Sequence, residues 1–329
     1  MEKIYDITRF EYKRELTKRY LYPFYSLNKL TGGAEASALN ILFAKTNQGK
    51  SEASMMFMTQ WIKDGHKVCA MLGEHSMRKA QSLLYKKVSM YNSQTWETKK
   101  IENDGRYTGI SETFISEEDE KKAIEFFKDK LYLYDTRNGF RLEDILEGFE
   151  EGYKLGCDVF LLDNGMMIDL ESSNELLEQR DNAERLRQWA KHHQVVVFLV
   201  LHARKVEYGR IRLSEYDIAG SSNIPNKATT IMSITRTDLL NPNTKEYKDY
   251  QKLLELNKIN LAECDAIIEV VKEKNGRGGF VPLKWYESTK TYREVYNKDQ
   301  TNVEDEKPVL YTQTELTPID EDLFGELPF

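Results

Sequence analysis

Residues 43–51 read Phe-Ala-Lys-Thr-Asn-Gln-Gly-Lys-Ser, leaving the short apolar run Asn40-Ile41-Leu42-Phe43 and entering an amphipathic segment. A strand, a loop and a helix start in that order make a phosphate-cradling P-loop. Consecutive loop amides converge on one anion in such a turn, and the helix N-terminus adds positive dipole. In that pattern Thr46, Asn47, Gln48 and Gly49 line the phosphates and Lys50 meets the β- and γ-phosphates. Ser51 offers its hydroxyl to Mg2+. Ala44 stands where the general pattern has its first glycine. The loop alone therefore leaves an ordinary strand–loop–helix open.

The chain around this loop is long enough, at 329 residues, for one large domain or two modest ones. Its net charge of −7 argues against a surface that coats nucleic acid everywhere, though it permits a local basic loop or channel. No apolar run reaches membrane-span length, and Glu2, Asp6 and Glu11 do not fit a signal or transit pattern. Cys69, Cys157 and Cys264 form no CxxC pair, which suits small buried thiols in a reducing cytoplasm.

From residue 40 onward, short apolar runs alternate with helical patterns. The runs are 41–44, 68–72, 131–135, 159–163, 195–201 and 230–234. The helix-like segments fall near 51–63, 76–90, 117–128, 141–155 and 173–192. Fully apolar strands alternating with helices imply an α/β fold with a mostly parallel sheet covered on both faces. Runs near 266–273, 280–286 and 291–295 read as an antiparallel extension, with Glu-Ser-Thr-Lys as a turn. Residues 8–20 read as a charged helix, either lying on its own domain or packing on a neighbour. Residues 92–119 read as a polar, exposed excursion, and 238–262 as a Lys/Glu/Asn-rich insertion. Three segments follow: an arm or linker over 1–21, the main domain over 22–296, and an acidic tail over 297–329.

A P-loop ATPase needs a second acid for Mg2+ at the end of a buried strand, and Val159-Phe160-Leu161-Leu162-Asp163 supplies one. Glu74 follows the 68–72 run, and His202 ends the 195–201 run. In an open α/β sheet ligands collect at such carboxyl ends, where Glu74 would activate water and His202 would reach the γ-phosphate. Taken singly, each has an ordinary structural explanation: a turn-capping Asp, an exposed Glu, a packed His.

Together with Tyr25-Ser26-Leu27-Asn28-Lys29-Leu30-Thr31-Gly32-Gly33 and the 44–51 loop, these residues resemble the RecA-like motor domain of DnaB-type replicative helicases. That family often carries Ala at the position of Ala44. Glu74 matches its catalytic glutamate and Asp163 its Walker B aspartate. Leu201-His202-Ala203-Arg204-Lys205 resembles the branch of phage helicase-primases and mitochondrial Twinkle, in which a His is the sensor. Asp217-Ile218-Ala219-Gly220-Ser221-Ser222 resembles the segment after the DNA-binding loop, and Val271-Lys272-Glu273-Lys274-Asn275-Gly276 the arginine-finger motif. The resemblance spans about residues 22–296.

What the resemblance implies is a phage-encoded, ATP- and Mg2+-dependent helicase that moves along single-stranded DNA as a ring-shaped oligomer, such as a hexamer. The finger position holds Lys274, with Arg277 three residues on as a substitute. Ala219 stands where many relatives have Arg, and Thr229 where Asp is usual. The strand-gripping loop would be 203–217, with Arg204, Lys205, Arg210 and Arg212 as phosphate contacts. By composition alone it reads equally as a mixed-charge surface loop. Trp285 aligns with an aromatic that stacks the base. The acidic, Phe-terminated tail resembles docking tails that engage a polymerase, a primase or a single-strand-binding protein. Two alternatives stay open: a filament-forming RecA-like recombination or annealing ATPase, and a non-catalytic nucleotide-binding adaptor or loader.

Overall fold

Strand order in the central sheet decides where every candidate residue lands. The computed structural model describes residues 18–92, 96–103, 106–204 and 212–296. Its strands are β1 (Arg19–Tyr20), β2 (Ala34–Glu35), β3 (Ala38–Ala44), β4 (Val68–Leu72), β5 (Trp96–Asn103), β6 (Arg106–Ile115), β7 (Leu131–Leu133), β8 (Val159–Asp163), β9 (Val196–His202), β10 (Thr230–Arg236), β11 (Ala266–Glu273), β12 (Gly279–Tyr286) and β13 (Thr291–Glu294). The helices are α1 (Tyr25–Thr31), α2 (Lys50–Lys63), α3 (Met77–Asn92), α4 (Glu117–Phe127), α5 (Leu142–Lys154), α6 (Glu175–His193), α7 (Ile224–Lys227) and α8 (Lys245–Leu256).

Nine strands form one sheet in the order β13-β12-β11-β10-β3-β9-β8-β4-β7. From β10 to β7 all neighbours are parallel, and β11, β12 and β13 extend the sheet antiparallel. The central strands β3, β4 and β8 are buried along their whole length. This is what a continuous apolar run demands when helices cover both faces. On one face Phe57 and Trp61 of α2 pack with Val88 of α3 and Ala123 of α4. Tyr22 and Phe198 join Phe57 and Trp61 in an aromatic cluster there. On the other face Ile145 and Phe149 of α5 pack with Leu186 and Trp189 of α6. A smaller cluster seats Tyr250 and Leu254 of α8 against Ile267 of β11.

One local expectation changes and two gain detail. Arg19 and Tyr20 pair with Glu35 and Ala34 as strands, so the expected 8–20 helix does not reach them; residues 1–17 lie outside the described residues. The Tyr20 ring is buried and its hydroxyl donates to Asp158 at 3.0 Å, a tertiary tie that overrides the charged helical pattern. The polar excursion contains an antiparallel pair, β5 with β6. The 238–262 insertion contains α8, begun by the Thr244 side chain accepting from the Tyr247 amide. The 297–329 tail lies outside the described residues. Among the described residues, no helix is long and apolar enough to cross a membrane.

Candidate nucleotide site

Because β3, β4, β8, β9 and β10 run parallel, their carboxyl ends share one edge of the sheet. The phosphate loop leaves β3, Glu74 lies just past β4, Asp163 ends β8 and His202 ends β9. In the loop, Asn47 (φ 61°) and Gly49 (φ 84°) are left-handed, a backbone that turns amides toward a common anion. Lys50 opens α2 and is nearly fully buried. A polar chain joins Lys50, His202, Glu74 and Asn164. Lys50 Nζ lies 3.1 Å from His202 Nδ1, and His202 Nε2 lies 3.2 Å from Glu74 Oε1. Asn164 Nδ2 donates to the same Glu74 oxygen at 2.9 Å.

The environment tunes these groups in opposite directions. Burial is the largest influence on Lys50 and moves it below the ordinary lysine value, with Asp163 and Glu74 opposing. Burial alone would raise Glu74, but the Asn164 hydrogen bond and the nearby Lys50 and His202 outweigh it, so its carboxyl sits below the usual range. Asp163 is 2% exposed, and burial raises it, with Ser51 and Ser54 opposing through hydrogen bonds. Ser54 Oγ donates to Asp163 Oδ2 at 3.2 Å, while Oδ1 is buried with no hydrogen-bond partner among the described residues. An unpartnered carboxylate oxygen beside a serine hydroxyl fits a hard divalent cation, which prefers oxygen ligands.

A second group borders the loop. Gln48 Oε1 accepts from the Arg236 amide at 2.7 Å, at the end of β10. Trp285 on β12 has the Arg236 guanidinium 5.4 Å from its ring centroid. Tyr292 on β13 is Trp285's cross-strand partner and sets its hydroxyl against Gly49. Trp285 thus lies toward the same sheet edge as the end of β10. Asn164, Arg236 and Tyr292 are not among the sequence candidates. Asn164 has a local signal, since it directly follows Asp163; the other two are brought in only by sheet order.

Lys274 and Arg277 lie elsewhere. They sit between β11 and β12, where Glu273 pairs with Thr230 at the start of β10 and the Arg277 amide donates to Leu30 O. Since β10 has seven residues, this end stands roughly 20 Å from the nucleotide edge. Within one chain, neither residue joins the phosphate loop.

Of the candidate strand contacts, Lys205 and Arg210 lie outside the described residues. Arg204 is about half exposed and lies 3.4 Å from the buried carboxylate of Asp217. Arg212 is not a free cation: its Nε donates to Glu269 Oε2 at 2.6 Å, and Nη2 reaches the same oxygen.

The family model of the DnaB-like helicase C-terminal domain matches residues 22–294. No curated protein matches the sequence. Among solved structures, a DnaB-like replicative helicase described with its interactions with primase superposes with a TM-score of 0.67 at 14% identity. That match covers 85% of this chain and 64% of the other, so the chain spans less than two thirds of that relative's length. A second solved structure, that of an ATPase domain, superposes with a TM-score of 0.63 at 14% identity, over 83% of this chain and 90% of that domain. At such identities the structures speak to fold, a RecA-like α/β ATPase architecture. The match over most of its length makes the chain a member of the DnaB-like helicase C-terminal domain family.

Proposed function

We propose that the chain is an ATP- and Mg2+-dependent DNA helicase motor that translocates on single-stranded DNA as a ring-shaped oligomer. The observation that carries this reading is the convergence of Lys50, Glu74, Asp163 and His202 at one sheet edge. In this reading the loop from Thr46 to Gly49 and Lys50 bind the phosphates, and Ser51 and Asp163 hold Mg2+, which neutralises charge developing on the phosphates. Glu74, kept ionised, orients and deprotonates the attacking water. His202 bridges Lys50 and Glu74 and opens directly into the 203–217 stretch, so it relays the γ-phosphate state to the strand-gripping residues. Trp285 and Arg236 flank the base. Lys274 or Arg277 completes the site of a neighbouring subunit, which suits their position at the far edge. Engagement of replication proteins by the acidic tail, a phage origin and a place in the host cytoplasm rest on the sequence resemblance.

Electron microscopy with a non-hydrolysable ATP analogue and an oligothymidylate tests assembly, and DNA-stimulated ATP turnover tests chemistry. Closed rings are expected, with turnover falling by roughly 10²-fold or more in Glu74→Gln. Filaments would favour the recombination reading. Turnover that DNA does not stimulate and Glu74→Gln does not lower would favour the adaptor.

A further inference from the structure

The inserted helix α8 touches both ends of the proposed machinery. Glu246, in its first turn, accepts from Lys45 Nζ of the phosphate loop at 2.9 and 3.0 Å. One turn on and on the same helix face, Tyr250 is fully buried, and its hydroxyl donates to Glu269 Oε1 at 2.7 Å. The same hydroxyl lies 3.2 Å from Thr235 Oγ1 on β10. Glu269, on β11, is 3% exposed, and its other oxygen takes the Arg212 guanidinium. Two polar links therefore share α8: Lys45–Glu246 in its first turn and, one helical turn on, Tyr250–Glu269–Arg212.

The geometry points to α8 as a strut that couples the phosphate loop to the strand-gripping stretch, with Arg212 a positioning residue rather than a DNA contact. The inference rests on the proposed DNA-stimulated motor. A phosphate that took the Nε and Nη2 donors of Arg212 would leave the buried Glu269 carboxylate without its counter-charge, and an uncompensated buried charge is strongly disfavoured. Arg212 is thus held to the sheet, three residues before the 3-10 turn that ends in the buried Asp217. Asp217 in turn takes Arg204, and the Ala203–Ile218 bridge closes the stretch just beyond His202. One end of the stretch is fixed beside the γ-phosphate sensor and the other through α8 to the phosphate loop.

The test uses the full chain with an oligothymidylate and compares Arg212→Gln, Glu269→Gln, Tyr250→Phe and the Arg212→Gln/Glu269→Gln double variant. DNA stimulation of turnover should fall roughly 5- to 10-fold in either glutamine variant, with the double no worse than the singles. Tyr250→Phe, which keeps the packing, should act weakly in the same direction. The salt dependence of oligothymidylate binding should keep its wild-type slope, and amide exchange in α8 and in residues 217–219 should rise. A slope lower by about 0.7 in Arg212→Gln alone, with Glu269→Gln behaving as wild type, would make Arg212 a phosphate contact and overturn the strut. Unchanged exchange and stimulation in all variants of a DNA-stimulated wild type would also overturn it. A wild type that DNA does not stimulate removes the motor reading and the coupling role together, even where exchange responds.

Discussion

His202 and Glu74 face one another at 3.2 Å although 128 residues separate them. The imidazole spends one nitrogen on Glu74 and the other on Lys50, so on the proposed reading a single ring stands between the phosphate subsite and the base.

Asn164 is the first residue to test there. Its hydrogen bond is the largest influence holding Glu74 below the usual carboxylate range against burial. A lowered folded-state value favours the ionised form, so the group's contribution to stability is present above its unfolded value and is lost as pH falls through the folded one. Asn164→Ala should therefore move the acidic limb of the pH–turnover profile to higher pH, with little change at alkaline pH. An unmoved limb would show that Glu74 does not depend on this amide.

Gly49 is constrained by a residue that lies on another strand. Its φ is 84°, and an added Cβ would overlap Tyr292 Oη. Gly49→Ala should abolish detectable nucleotide binding in a calorimetric titration. Adding Tyr292→Phe removes the hydroxyl and should restore binding in part, leaving only the strain of the left-handed backbone.

Lys87 is 1% exposed and donates to Glu52, in the first turn of α2, and to Lys290 O in the turn before β13. Burial moves it below the ordinary lysine value, and Glu52 opposes that shift. Lys87→Ala strands both acceptors and should cost about 3 kcal/mol in chemical denaturation. Lys87→Met, which refills the volume, should cost less. Both should weaken nucleotide binding, since the lysine ties the Trp285–Tyr292 hairpin to the phosphate-loop helix.

Complementation tests the far-edge residues. A chain with Lys50→Ala keeps its 274–277 turn, and a chain with Lys274→Ala and Arg277→Ala keeps its phosphate loop. Each alone should hydrolyse ATP poorly. Mixed, they should recover turnover above either, because intact halves meet across subunits. No recovery, where native chromatography shows mixed assembly, would remove the trans role.

The placement of several candidate-site residues is legible in the sequence because each sits at the boundary of a recognisable segment. Lys50 sits in a local motif, and Asp163 and His202 close wholly apolar strands whose shared direction follows from the alternation with helices. Arg236, Tyr292 and Lys87 stay hidden, since their significance depends on β10 lying beside β3 and on β11, β12 and β13 extending the sheet beyond it, an order no periodicity encodes. Arg212 misleads for the same reason: a basic residue in a polar stretch looks solvated until Glu269 appears under it. The expected 8–20 helix runs too far because Tyr20 answers to Asp158, 138 residues away.

The β11–β12 hairpin has one more implication. It begins next to Arg236 and Trp285 and turns at the opposite rim, so the fold keeps a molecule's own Lys274 and Arg277 a full strand length from its own Lys50. On the proposed reading a solitary polypeptide is catalytically mute, and dilution acts as an off switch. Hydrolysis is then confined to wherever copies have gathered, which spares the cell idle fuel consumption away from its template.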